Sequence, residues 1–199
     1  MAHLDGLAPE AVAVGAVNTI VVGNDHRLIG HNTDAAGIIG PAGAIMAGRP
    51  VLVIGSGGAA RAAAAAARDS GASALWVMAR NYNAAGALLA ASGLPGGVMA
   101  MGDVPPADTG LVFNATTLGT AGQPALNINL SALPADAVVF DAVYVPLETP
   151  LLAAAHARGL ITIDGLDMLI GQAAEAFRLF FGAAPPRRYD GELRAMLTK

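Results

Sequence analysis

The sequence predicts an α/β fold built on a doubly wound, mostly parallel sheet. From Pro50 onward, short β-branched apolar runs alternate with helical runs, the pattern of strand–crossover–strand units whose sheet is covered on both faces. The 199 residues, 54% of them hydrophobic, are enough to bury a substantial core. Much of that apolar content is alanine and valine with few aromatics, which favours close packing of helices on a sheet.

The elements follow in order. Residues 11–22 (AVAVGAVNTIVV) are apolar and β-branched, GNDHR supplies turn chemistry and LIGHNTD follows, so a β-hairpin is expected. Asp34 stands where it would cap a helix over 35–47, and Gly37, Gly40, Pro41 and Gly43 should leave that helix broken or short. Then come strand 51–54, helix 58–69, strand 74–78, helix 83–91, a short strand at 98–100, and strands 111–113 and 137–140. Helix 149–157, strand 160–163 and helix 166–181 complete the pattern. Gly93–Gly97 and Thr120–Pro134 read as loops from their Gly and Pro punctuation. A hairpin unit as small as residues 1–48 is marginal alone, so it should pack against the larger domain, a neighbouring subunit or a further segment.

Composition excludes several classes of function. A net charge of −4 gives no broad basic field for nucleic acid or anionic membrane. Cysteine is absent, and His3, His26, His31 and His156 have no metal-type spacing, so neither thiolate chemistry nor a metal is expected. Mean hydropathy is +0.53. Yet no apolar stretch reaches the roughly 18 residues of a membrane helix, and no basic region opens a signal peptide, so a soluble cytoplasmic protein is expected. The single lysine is Lys199, which leaves none for chemistry in a folded interior.

The sharpest motif is VLVIGSGGAARA. Strand 51–54 leads into Gly55-Ser56-Gly57-Gly58-Ala59-Ala60, a G-x-G-x-x-A turn, and an alanine-rich helix begins at once. Gly55 permits the tight turn, Gly57 lets the backbone approach a pyrophosphate, and Ala60 allows close helix-to-strand packing. Ser56, Gly58 and Ala59 complete a helix N-terminus with unpaired N–H groups for the anion. This context makes the sheet Rossmann-like. The second strand ends in WVMARNYN, with no acid for the ribose hydroxyls of NAD. Arg80 can pair with a 2′-phosphate or stack on adenine, which favours NADP; the alternative is a solvated residue at a helix start.

The blocks GAVNT, GHNTD, GSGGAARA, NATTLG, DAVYVPLETPLL and DGLDMLIGQAAEAF, in this order, resemble shikimate dehydrogenase from its middle to its end. The resemblance implies a remnant of the N-terminal substrate-binding domain over 1–48, an NADP-binding Rossmann domain over 49–165, and C-terminal helices over 166–199 that return to the substrate domain. It implies that Asn18 and Asp34 contact the substrate's hydroxyls, with Asp34 also catalytic beside a lysine. Tyr144 and Gln172 would close the substrate site. Gly165 and the Asn114-Ala115-Thr116 turn would surround the nicotinamide and its ribose, where small residues or backbone groups meet the ring. Ala142 would be a further cofactor contact, joining Gly55–Ala59 and Arg80 in the cofactor site.

Two positions depart from the family pattern within this stretch. Ala84 stands where a second arginine often follows Arg80, and Asp167 stands where glycine is usual, near the nicotinamide. The family's catalytic lysine lies upstream of GAVNT, and none of the 14 residues before Gly15 is a lysine. The expected activity is NADP-dependent reduction of 3-dehydroshikimate to shikimate in aromatic amino acid biosynthesis, incomplete in an N-terminally truncated chain. The alternatives are a catalytically inactive NADP-binding module and an enzyme preferring quinate. The expected partner is the small-molecule substrate, with a homodimer left open.

Overall fold

The computed structural model describes residues 3–198. Lys199 lies outside the described residues. The chain forms a three-stranded sheet followed by a six-stranded one.

In the first sheet β1 (Gly6–Leu7) pairs parallel to β3 (Leu28–His31), which pairs antiparallel to β2 (Thr19–Val22). The β2–β3 hairpin closes through GNDHR as expected. Gly23 N–H donates to the Arg27 carbonyl at 2.9 Å, and Asp25 accepts from Arg27 N–H at 3.2 Å.

The hairpin's expected first arm is incorrect over residues 11–14. Pro9–Val14 is helix α1, ended by Gly15 at φ 66°. The alternating AVAV suggests a strand, but Pro9 at the first helical position and a left-handed Gly15 bracket a short helix. Ala11 and Val14, three residues apart, are the positions it buries.

Helix α2 (Asp34–Met46) follows and is unbroken, contrary to expectation, although Pro41 lies inside it. It packs along α3 (Gly58–Asp69) and α6 (Gly165–Phe181) and buries Ile38, Ala42 and Met46. That burial outweighs the lost hydrogen bond and the glycine propensities.

The second sheet runs β6 (Gly96–Met99), β5 (Ala74–Met78), β4 (Pro50–Ile54), β7 (Leu111–Asn114), β8 (Val138–Asp141), β9 (Ile161–Ile163), all parallel. The strand order reverses direction between β4 and β7, and in such sheets ligands bind outside the carboxyl ends at that switch. Every residue of β7 and β8 is buried, as a sheet covered on both faces requires. In α3, Ala60 and Ala62–Ala67 are all buried, so alanine here is a packing surface against sheet and neighbouring helices.

Residues 96–97, expected as loop, belong to β6: Gly96 pairs with Leu75, and a Cβ there would lie 1.8 Å from the Leu75 carbonyl oxygen. Only glycine admits that approach. Residues 120–134 carry no helix or strand, as expected.

Helices α4 (Tyr82–Ser92) and α5 (Pro150–Ala157) cover the sheet, and a 3₁₀ turn (Arg187–Tyr189) and α7 (Asp190–Leu197) end the chain. Among the described residues no helix is long and apolar enough to cross a membrane.

Candidate active site

Two adjoining cavities lie at the carboxyl ends of β4 and β7. The larger, about 460 Å³, is lined by Gly55, Ser56, Gly57, Arg80, Asn81 and Thr116 among others. Gly55 has φ 115°, and a Cβ on it would press on the Ala115 carbonyl at 3.2 Å, so the turn needs glycine. Gly57 and Gly58 differ: nothing lies within 4 Å of where their Cβ atoms would be. No protein atom requires those two glycines, and the open space stands at the start of α3, where no side chain caps the helix. An anion-sized cradle at a helix N-terminus fits a pyrophosphate. At the far side Arg80 is exposed, while Asn81 takes the helix-start role: its side chain accepts from Ala84 N–H at 3.0 Å and caps α4.

The second cavity, about 350 Å³, is lined by Ala59, Thr120, Ala142, Val143, Tyr144 and Val145, and shares Ala115, Thr116 and Thr117 with the first. Gly165, the first residue of α6, supports its wall. Its N–H donates to the Val143 carbonyl at 3.2 Å, and a Cβ there would lie 2.3 Å from the Ala142 oxygen.

Behind these walls runs a buried polar network. Asp141 is fully buried and accepts from Asn114 Nδ2 (2.8 Å), Val143 N–H (3.0 Å) and the Thr149 hydroxyl (2.6 Å). Burial raises its carboxyl pKa above the ordinary value, and the three donors pull it back. Asn114 in turn accepts from Thr116 N–H (3.0 Å) and the Thr116 hydroxyl (2.7 Å). The Asn114 side chain is fully buried and fixes the Ala115–Thr117 wall from behind.

A third cavity, about 380 Å³, is lined by Asn18, Thr19, Thr33, Asp34, Gln172, Ala173 and Ala176. It brings together three of the four expected substrate contacts. Asn18 Nδ2 donates to Asp34 Oδ1 at 2.8 Å, while Asn18 Oδ1 accepts from Thr33 N–H and the Thr19 hydroxyl, both at 3.0 Å. Asp34 does not cap α2 with its side chain; its carboxylate is turned to Asn18. Partial burial raises its pKa, and the Asn18 hydrogen bond opposes that rise.

Gln172 reaches this cavity because α2 and α6 cross at Gly37 and Gly171. A Cβ on Gly171 would lie 2.9 Å from the Gly37 Cα. Tyr144 is not brought into this cavity; it lines the second one, half-exposed. Seven residues of α6, about 10 Å at helical rise, lead from Gly165 to Gln172 and so link the second cavity to the third.

Residues 165–189 match the family described as shikimate 5'-dehydrogenase C-terminal domain. The chain is 53% identical over 187 residues to the shikimate dehydrogenase (NADP(+)) of Sphingopyxis alaskensis, covering 93% of this chain and 68% of that protein. The chain belongs to the shikimate dehydrogenase family.

Among solved structures similar to this family member is shikimate 5-dehydrogenase from Thermus thermophilus in complex with NADP(H) and shikimate. Its TM-score is 0.83 at 38% identity, over 98% of this chain and 73% of that one. Quinate dehydrogenase from Corynebacterium glutamicum in complex with NAD has a TM-score of 0.84 at 32% identity, over 98% and 73%.

Sequence reasoning missed the lining residues Thr19, Thr33, Met101, Thr117 and Gln123, which sit in loops or beside the recognised motifs. It also missed the Asp141 network, although adjacency of β7 and β8 would have paired the ends of LVFN and VVFD. Asp167, unexplained in the sequence, accepts from Arg194 Nη1 at 2.8 Å.

Proposed function

We propose that this chain binds NADP(H) and the hydroxyl-bearing face of shikimate, and that it serves the reversible reduction of 3-dehydroshikimate to shikimate. The supporting observation is the pairing of a glycine cradle that no protein atom demands with an exposed Arg80 at the far end of the same cavity.

Gly55–Ala59 would hold the pyrophosphate on the α3 N-terminus, and Arg80 would pair with the 2′-phosphate. Thr116, Ala142 and Gly165 would bound the nicotinamide and its ribose. When bound, the cofactor supplies the hydride. The chain's own residues do the rest: Asn18, itself held by Thr19 and Thr33, orients Asp34, and both meet substrate hydroxyls. The Asp34 carboxylate orients the group that delivers a proton to the nascent alkoxide. Gln172 and, from the second cavity, Tyr144 would offer hydrogen bonds to the same substrate.

A second reading, an NADP-binding module without turnover, is favoured by one fact: no lysine stands beside Asp34 among the described residues. The two readings separate by titrating NADPH binding and then assaying NADPH oxidation with 3-dehydroshikimate. Binding with turnover supports the enzyme, binding without turnover supports the module, and no binding overturns both. Parallel rates on shikimate and quinate fix the substrate preference.

Arg80→Ala should weaken NADPH by about 1–3 kcal/mol, the cost of a lost charge-assisted contact, and leave NADH little changed. Equal effects on the two cofactors would remove the 2′-phosphate role.

A further inference from the structure

The C-terminal helix α7 is attached to the rest of the molecule in an uneven way. No residue of the Arg187–Tyr189 turn or of α7 is buried, and Leu193, Met196 and Leu197 are exposed. A cleft of about 620 Å³ separates this arm from α2 and α6. Across it, a single side chain makes a concentrated contact. Arg194 Nη1 donates to Asp164 Oδ1 at 3.1 Å and to Asp167 Oδ1 at 2.8 Å, and Arg194 Nη2 donates to Asp164 Oδ2.

Asp164 is also the N-cap of α6, accepting from Leu166 N–H at 3.0 Å and Asp167 N–H at 3.3 Å. Next in the chain is Gly165, which abuts Ala142 and Val143 behind the second cavity. The guanidinium therefore grips the residue next to the glycine that supports the cavity wall.

We propose that Arg194, through Asp164 and Asp167, is a positioning group for the nicotinamide end of the cofactor site: it fixes the α6 N-terminus so that Gly165 holds Ala142 and Val143 in place. Asp167 is half of this device. The Asp167 carboxylate gives the arginine a second acceptor and ties the first turn of α6 to α7. The fork geometry of arginine suits two carboxylates at once, which an ammonium would not match. The contact is partly solvated, with side-chain exposures of 33%, 18% and 48% for Arg194, Asp164 and Asp167, so it is open to screening by salt.

The inference rests on the reading that this chain binds NADP(H), and the test keeps the two apart. Dissociation constants are measured for NADPH and for adenosine 2′,5′-bisphosphate, which can reach Arg80 and the glycine cradle but lacks the nicotinamide half. In Arg194→Ala, NADPH should bind about tenfold more weakly, the scale of one lost charge-assisted contact, while the bisphosphate constant stays within about twofold. Asp167→Gly should shift NADPH in the same direction by less, since Asp164 still receives the guanidinium. Arg194→Lys should recover part of the loss. Near 1 M salt, where the Debye length falls to about 3 Å, the gap between wild type and Arg194→Ala should narrow. Equal weakening of both ligands would mark a merely structural role and overturn the inference, as would an unchanged NADPH constant. Failure of the wild type to bind either ligand would overturn the cofactor reading itself, and this inference with it.

Discussion

At the residue scale the consequential group is Asp34. Two opposed effects set its state: partial burial disfavours the charged carboxylate, and the 2.8 Å hydrogen bond from Asn18 favours it. Burial is the larger, so the folded chain holds the Asp34 proton to a higher pH than the unfolded chain does. Between the ordinary carboxyl range and the raised value the native state then binds more protons, and stability falls as pH rises through that window. Asp34→Asn removes this contribution while keeping an oxygen that can accept from Asn18. Thermal melts from acid to neutral pH should therefore show a shallower decline for Asp34→Asn than for wild type. At neutral pH the variant should be at least as stable, by less than about 2 kcal/mol, the scale of one hydrogen bond to a charged group. Identical pH slopes for the two proteins would contradict the assignment of a raised pKa. Any turnover should be lost in the variant, so stability and activity move in opposite directions. That opposition is expected of a desolvated carboxylate kept for the substrate.

At the element scale the site depends on how closely α2 and α6 cross. Gly37 and Gly171 meet backbone to backbone, and that contact places Gln172 across the cavity from Asp34. A Cβ added to Gly37 would lie 2.6 Å from the Met168 carbonyl oxygen, an atom that cannot swing away. Gly37→Ala should then cost about 1–3 kcal/mol of overpacking, set against up to about 1 kcal/mol of gained helix propensity. Gly40, one turn on, would carry a Cβ with nothing within 4 Å of it, and Gly40→Ala should stabilise by about 0.5–1 kcal/mol. Chemical denaturation of the two variants checks the contrast, and two shifts of the same sign would refute the close-crossing argument.

The same helices show what the sequence could and could not convey. The βα turn was legible because strand, glycines and helix are contiguous, and Gly58–Asp69 begins and ends where the motif places it. Pro41 misled because only tertiary packing against α3 and α6 keeps α2 continuous. AVAV misled because a strand and a short helix share that run, and the deciding signals, Pro9 and Gly15, lie at its edges. Arg194 and Asp164 are 30 residues apart, and nothing local announces their meeting.

At the scale of the whole molecule, the proposed cofactor and substrate sites occupy different supports. The glycine cradle and Arg80 belong to the six-stranded sheet, whereas Asn18 and Asp34 belong to the hairpin sheet and α2, which packs on α3 and α6. Under the proposed reading, cofactor binding should be complete within these 199 residues, whereas the lysine that the family resemblance pairs with Asp34 is not among the described residues. NADPH at 100 times its dissociation constant should raise stability by about 2.7 kcal/mol, read as an upward shift in melting temperature. 3-Dehydroshikimate alone should shift it far less, because its carboxylate finds no basic residue in the cavity of Asn18, Asp34 and Gln172. The decisive addition is a separately produced polypeptide holding the part of the Sphingopyxis relative that this chain does not cover, where the resemblance to the family implies the catalytic lysine. Mixed with this chain, it should confer NADPH oxidation that neither polypeptide shows alone, and Asp34→Asn in this chain should abolish the gain. If the mixture stays inactive although the two polypeptides bind each other, the lysine–Asp34 partnership fails for this protein. If the chain alone turns over at the mixture's rate, the proton comes from a group already within it, and Asp34, with its raised pKa, becomes the first candidate.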